Sequence, residues 1–382
     1  MKILAAQYGT ELFGRERENI ECYKSFIRLG HSVNVFGSYR EEEGGDTGKL
    51  LAELGIKCGE MPFGSHFSLS YFRRMKGYWW LQIKRIYWCS NLMRKKAGEM
   101  DADAIFLGGT MEFLYLWPFL LFQRRPIIYR VGDAPIWDSW FHKVVMKQLL
   151  RKATLIVPVS HFIQNECIKL SRLSETKCQV IWNIPPAFTS EVQNQKVKQQ
   201  SKGLKLVYVG QITENKGVKV LLQALAHIKN HPFECRIVGG SEFTSLLEKE
   251  LQDMTESLGL AKKVHFTGRV QDPTPHYAWA DLHIAPSTYE EPFGLVIVEA
   301  KREGVPSIIF PKGGMPELVK HNENGWICDN VSPRTLANAI LTCMDKPLKT
   351  WGGRAKKDEE QNFSSQRFDG DWNRILKPLM SV

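Results

Sequence analysis

Two stretches of the chain begin in the same way. Residues 2–8 (KILAAQY) and 204–209 (LKLVYV) are short apolar runs, each followed by a glycine, Gly9 or Gly210, and a polar loop. A helical pattern follows both loops. It carries Ile20, Tyr23, Phe26, Ile27 and Leu29 in the first case, and Val220, Leu221 and Leu225 behind Gly217 in the second. Continuous apolar runs read as strands buried on both faces, and strand, loop and helix in that order make a parallel βα unit. A chain of 382 residues that opens such a unit twice is expected to build two α/β domains.

Further strands are expected at 32–36, 104–107, 127–129, 155–159 and 179–181, then at 234–238, 263–266, 282–285 and 307–310. Between the halves, residues 192–203 (VQNQKVKQQSKG) are polar and nearly free of large apolar side chains, the composition of a linker. The boundaries follow: a Rossmann-like domain over 1–185, a linker over 186–203, a second Rossmann-like domain over 204–350 and a tail over 351–382. The tail carries Phe368, Trp372, Ile375 and Leu379 at helical spacing. Doubly wound sheets bind ligands beyond the carboxyl ends of their strands, so the cleft between two such domains is the expected active site.

Lys and Arg outnumber Asp and Glu by 51 to 41, and a net charge of +10 suits a polyanionic partner without choosing one. The 8 cysteines are scattered, with no C-x-x-C pair, which favours free thiols in a reducing cytoplasm over a zinc site or a disulfide framework. Met1 leads straight into a strand pattern, unlike a secretory leader. No apolar run reaches the roughly 18–20 residues of a membrane span. The longest, 113–122, contains Pro118 and reads as a buried helix. Residues 71–96 are rich in Arg, Lys, Trp and Tyr and contain no acid, a pattern of either a docking element for an anionic membrane surface or an ordinary helix with solvated lysines.

The chemistry concentrates in the second half. Residues 286–299 read PSTYEEPFGLVIVE, directly after the strand LHIA. If a helix starts at Leu295, Phe293-Gly294-Leu295 offers amides at its N-terminus for a phosphate or a sugar hydroxyl, with Glu291 before it and Glu299 a turn inside. A capped helix with solvated acids would show the same spacing. The loop 210–217 (GQITENKG) lies at the first strand-to-helix turn, where such folds hold phosphate, and Lys216 can supply a point charge. It is not a Walker A loop, and the absence of a clean G-x-G-x-x-G argues against a dinucleotide oxidoreductase. Gly313-Gly314 closes another strand-end loop.

Taken together, PSTYEEPFGLVIVEA, Gly304-Val305-Pro306, GGMPELV and Asn324-Gly325-Trp326 resemble the signature of the retaining family 4 glycosyltransferases. VGQITENKGV resembles the family's donor loop, Val180-Ile181-Trp182-Asn183 its V-I-x-N, and Leu29-Gly30-His31-Ser32-Val33 its first helix-to-strand passage. The resemblance implies a GT-B fold: two facing Rossmann-like domains, with a C-terminal helix crossing back to the first. It implies a hexosyltransferase that takes a UDP-, GDP- or ADP-sugar and passes the sugar, with retention, to a glycan, lipid-linked or small-molecule acceptor. Neither a metal nor another cofactor is implied, and no nucleic acid. The implied location is the cytoplasm, or the periphery of the inner face of the plasma membrane.

Residue by residue, the resemblance gives Glu299 the donor ribose, Glu291 the donor sugar and Lys216 the diphosphate. Phe293, Gly294 and Leu295 would support sugar and phosphate, backbone groups at Val270 would read the base, and Gly14 would approach the diphosphate from the first domain. Gln211 stands in the donor site where members commonly place an arginine, so a second cation is absent or comes from Arg15 or Arg17. The usual double glycine is Phe13-Gly14. The histidine often found near the reacting carbon has no match, and Asp133 takes its place at a comparable strand end, which makes Glu291, Lys216 and Asp133 the catalytic candidates. Asp101-Ala-Asp103 has the form of a metal-binding D-x-D but precedes a strand, which favours a structural role. A nucleotide-sugar epimerase and a non-enzymatic nucleic-acid-binding protein are the alternatives.

Overall fold

The computed structural model describes residues 1–9, 14–38, 46–63, 78–133, 140–172, 174–186, 203–240 and 245–380. The chain forms two compact units, Met1–Ile184 with Ser365–Val382, and Pro185–Ser364.

The first unit holds a six-stranded parallel sheet: β1 Lys2–Gln7, β2 Ser32–Gly37, β3 Lys57–Glu60, β4 Ala104–Leu107, β5 Ile127–Val131 and β6 Leu155–Pro158, in the order β3-β2-β1-β4-β5-β6. The second holds β7 Leu204–Val209, β8 Phe233–Val238, β9 Val264–Gly268, β10 Leu282–Ala285, β11 Ser307–Ile309 and β12 Gly325–Ile327, in the order β12-β11-β10-β7-β8-β9. Counted from each unit's first strand, the two orders are the same doubly wound order. Its switch point lies between β1 and β4 in one sheet and between β7 and β10 in the other, where such folds open a crevice. The central strands β4, β5 and β10 and the edge strand β6 are buried at every residue, so they read as largely apolar runs, with Arg130 of β5 and His283 of β10 the buried polar exceptions.

The expected strand at 179–181 does not form. Gln179 and Ile181 donate backbone N–H bonds to Ile156 and Pro158, but only Cys178 bridges β6, and Pro185-Pro186 soon prevents a longer ladder. Two edge strands escaped the pattern reading, β3 (KCGE) and β12 (GWI), because an edge strand has one neighbour and needs no continuous apolar run. The apolar run at 113–122 is a helix, Thr110–Leu121, with Pro118 inside it, although Phe122 at its end is exposed.

The tail divides into two helices, because Phe363 caps the first and Ser365 starts the second. Leu348–Asn362 belongs to the second unit, so the expected tail from 351 starts within it. Ser365–Leu376 belongs to the first unit, where the buried Trp372 meets Phe26 edge to face at 4.8 Å and Arg28 grips Asp369 through two 2.7 Å bonds. The expected linker residues 187–202 lie outside the described residues, as do Phe13 and residues 71–77.

Candidate functional site

In the second unit the loops at the carboxyl ends of β7, β10 and β11 lock together through backbone that only glycine fits. Gly217 has φ +76, and a Cβ there would fall 1.9 Å from the Pro286 carbonyl oxygen. Thr288 N–H donates to the Asn215 carbonyl at 2.9 Å, so the β7 and β10 loops run in contact. Gly313 has φ +58, its Cβ would lie 2.0 Å from the Glu291 carbonyl oxygen, and the next amide, Gly314 N–H, donates to that oxygen at 2.8 Å. Three loops distant in sequence are thus held at van der Waals contact or closer.

That locking brings Lys216 to Glu291. The lysine Nζ donates to both carboxylate oxygens at 2.9 Å and to the Tyr289 hydroxyl at 3.1 Å, and Ser287 Oγ donates to Glu291 Oε2 at 3.0 Å. Burial alone would lower the Lys216 pKa, but Glu291 and Tyr289 outweigh it and the net shift is upward, so the ammonium stays charged. The Tyr289 phenol is pushed up to about 12 by burial and by Glu291. Glu290 turns the other way, accepting from Gly313 N–H at 2.6 Å and Lys312 at 3.0 Å, which fixes the β11 loop.

The helix Leu295–Arg302 starts behind Gly294, whose φ of +104 ends the loop, and no side chain caps it. Its first amides are therefore left to whatever lies beyond the loop. Phe293 turns inward, buried, with its ring 6.3 Å from that of Phe363, so any ligand role falls to its backbone. Leu295 is half-buried at the first turn. Glu299 is half-buried one turn in, and its Oε2 accepts from the buried Tyr277 hydroxyl at 3.0 Å. Tyr277 also donates to the Val296 carbonyl at 3.2 Å, which steers the carboxylate from beneath. Val270 packs on the small core of Val207, Val238 and Tyr277. The Gln211 carbonyl accepts from the buried Tyr208 hydroxyl at 2.7 Å.

In the first unit, Gly14 starts the helix Gly14–Arg28 with open space where a Cβ would stand, so packing within the unit does not demand glycine there. Asp133 follows β5, half-exposed, with Oδ2 at 3.4 Å from the Arg15 guanidinium. Arg15 is also bonded to Glu16 and the Tyr8 carbonyl, so it is already shared among three acceptors. Asp103 accepts from Lys2 N–H at 2.6 Å and Asp101 pairs with the Lys2 side chain at 3.6 Å, a structural use of the D-x-D pair. Among the described residues no group of three or more His, Cys, Asp or Glu side chains is arranged to hold a metal ion.

Tyr277, Ser287, Tyr289 and Glu290 escaped the sequence reading as individuals. The last three stand inside the PSTYEEPFG string, whereas Tyr277 comes from the short helix Thr274–Trp279 and no spacing points to it.

Residues 189–359 match the model of a protein family described as glycosyl transferases group 1. The matched stretch covers most of the second unit, Pro185–Ser364. The chain is 27% identical over 320 residues to an uncharacterized glycosyltransferase of Methanocaldococcus jannaschii, across 76% of this chain and 78% of that one. Over 188 residues it is 31% identical to a D-inositol 3-phosphate glycosyltransferase of Corynebacterium diphtheriae, across 46% of this chain and 41% of the relative. Anabaena Alr3699/HepE, solved in complex with UDP and glucose, superposes with a TM-score of 0.76 at 25% identity over 100% of both chains. The fold is therefore GT-B and the protein an enzyme that transfers sugar, which sets aside the epimerase and the non-enzymatic alternatives.

Proposed function

We propose that the enzyme takes a nucleoside-diphosphate sugar into the three-loop site of the second unit and passes the hexose to an acceptor hydroxyl with retention of configuration. The observation that carries this reading is the Lys216–Glu291 pair beside the uncapped helix start at Leu295. Glu299, steered by Tyr277, takes the paired ribose hydroxyls. Glu291 contacts the sugar, and Lys216 with the amides of 293–295 takes the diphosphate. Backbone groups at Val270 line the nucleoside end, and Gln211 stands with Lys216 in the loop that takes the diphosphate.

In the reaction the bond from the anomeric carbon to the diphosphate oxygen breaks as the acceptor oxygen bonds to the same face. The acceptor proton passes to the departing phosphate. Negative charge grows on the leaving diphosphate, and a fixed ammonium with oriented amides stabilises it without reorganising. No metal or other cofactor takes part in this scheme. The HepE complex, which holds UDP and glucose, supports a UDP-sugar as donor over GDP- and ADP-sugars. A glycan or lipid-linked alcohol serves as acceptor, and no nucleic acid is bound. All eight cysteines are free and all but Cys58 are buried, which supports a cytoplasmic site of action.

The test incubates the enzyme with UDP-, GDP- and ADP-sugars and follows diphosphate release, with proton NMR of the anomer first formed. Release from one base class, with the donor's anomeric configuration kept, is the expected result. An inverted product overturns retention, and no release from any donor overturns the donor assignment.

A further inference from the structure

The basic, aromatic stretch of the first unit plays no part in the donor chemistry. Its described part is one helix, Tyr78–Glu99, with a single acidic residue at its very end. Gln82, Cys89, Met93 and Ala97 are buried along one side, where the Tyr115 hydroxyl donates to Gln82 Oε1 at 2.7 Å and Ser90 Oγ donates to the Tyr115 carbonyl. The opposite stripe runs Trp80, Lys84, Tyr87, Trp88, Asn91 and Lys95, at helical spacing. Trp80 is 69% exposed, Tyr87 64% and Trp88 55%, with Ile83 beside them at 50%. Lys84, Arg94 and Lys95 are exposed on the same outer side.

Three large aromatic side chains in water on one helix face are costly to leave uncovered. Neither the helix nor any other among the described residues is long and apolar enough to cross a membrane. We infer that this face lies on an anionic lipid surface, with Trp80, Tyr87 and Trp88 seated at the headgroup level and the lysines and Arg94 against lipid phosphates. Tryptophan and tyrosine favour that boundary, where one end of the ring is apolar and the other wet, and clustered cations add attraction to acidic lipid. A pairing with a second copy through this face would crowd the cations of one helix, Lys84, Arg94 and Lys95, toward those of the other, which charge repulsion opposes. This inference is independent of the donor reading.

Flotation of the full chain with vesicles tests it, using phosphatidylcholine alone and phosphatidylcholine with about one-third phosphatidylglycerol, at low and high salt. Binding to the acidic vesicles, weakened by salt, is expected. The pairs Trp80→Ser with Trp88→Ser and Lys84→Glu with Lys95→Glu should each reduce it about tenfold or more. Nucleotide-induced thermal stabilisation, unchanged in both pairs, shows that the variants fold and that the donor site is separate. The inference is overturned if the wild-type chain stays with the soluble fraction at low salt, or if neither pair changes flotation. It is equally overturned if the face instead binds a single-stranded oligonucleotide or drives self-association lost in the tryptophan pair.

Discussion

Lys216 and Glu291 lie 75 residues apart in the chain, yet Lys216 Nζ stands 2.9 Å from both carboxylate oxygens of Glu291. The contact depends on two glycines, Gly217 and Gly313, which let the β7 and β11 loops press against the β10 loop from either side. Beside Glu291 and Tyr289 the ammonium keeps its charge despite burial.

Replacing the cation tests its role in the chemical step. Lys216→Gln should lower kcat by about a hundredfold or more, the usual scale for losing one fixed group that stabilises a developing anion. The donor KM should change less. Steady-state kinetics separates the two effects.

Glu299 should behave in the opposite sense, because ribose hydroxyls do not change during transfer. Glu299→Gln is expected to raise the donor KM by roughly tenfold to a hundredfold, the scale of a lost charged hydrogen bond, with kcat little altered. Tyr277→Phe removes only the hydroxyl that steers the carboxylate, so its KM effect should be a few-fold and in the same direction. A fall in kcat without a KM change in Tyr277→Phe would contradict this division of labour.

Gly313→Ala places a Cβ where the Glu291 carbonyl already stands, at a φ that side chains rarely adopt. The loop must shift, and a strained backbone position of this kind costs about 1–3 kcal/mol. Thermal unfolding should drop by several degrees and donor binding should weaken, whereas Gly353→Ala, with open space around it, should do neither.

Stability should also depend on pH through the first unit. Burial raises Glu112 to about 7 despite Arg15 and the Tyr8 amide, and burial raises Glu18 to about 8 despite Arg130. Each carboxyl then holds its proton in the fold at a pH where the unfolded chain, near 4.5, has lost it. Their stabilising contribution is complete below about pH 4.5 and is lost as pH rises through 7 and 8. Melting temperatures from pH 5 to 9 should fall, and Glu112→Gln with Glu18→Gln should flatten that fall, each carboxyl accounting for at most about 1.4 kcal/mol per pH unit.

Much of this was legible in the sequence for a physical reason. Strands buried on both faces are mostly apolar, so β1, β4, β7 and β10 announced themselves even though β1 buries Gln7 and β10 His283, and the loops that close on one another at the β7 and β11 ends announced their glycines. Where one neighbour suffices, the signal fades, and β3 and β12 could not be read from KCGE and GWI. The same holds for the site. Lys216, Glu291 and Glu299 stood out in a strand-end loop and at a helix start, where a capped helix with solvated acids reads the same, and the resemblance gave them their proposed roles; the structure brings Lys216 to Glu291. Tyr277 was not, since a buried tyrosine under a carboxylate looks in sequence like any core aromatic. Gln179–Ile181 misled because three apolar-flanked residues beside an edge resemble a strand until the prolines behind them are considered.

The central claim is that the second unit holds a nucleoside diphosphate through Glu299, steered by Tyr277, and Lys216. Calorimetric titration of UDP, GDP and ADP into the wild-type chain and into Glu299→Gln tests it most directly. One diphosphate, expected to be UDP, should bind saturably, with affinity about tenfold or more lower in the variant. No saturable binding of any of the three, or equal affinity in the variant, would contradict it.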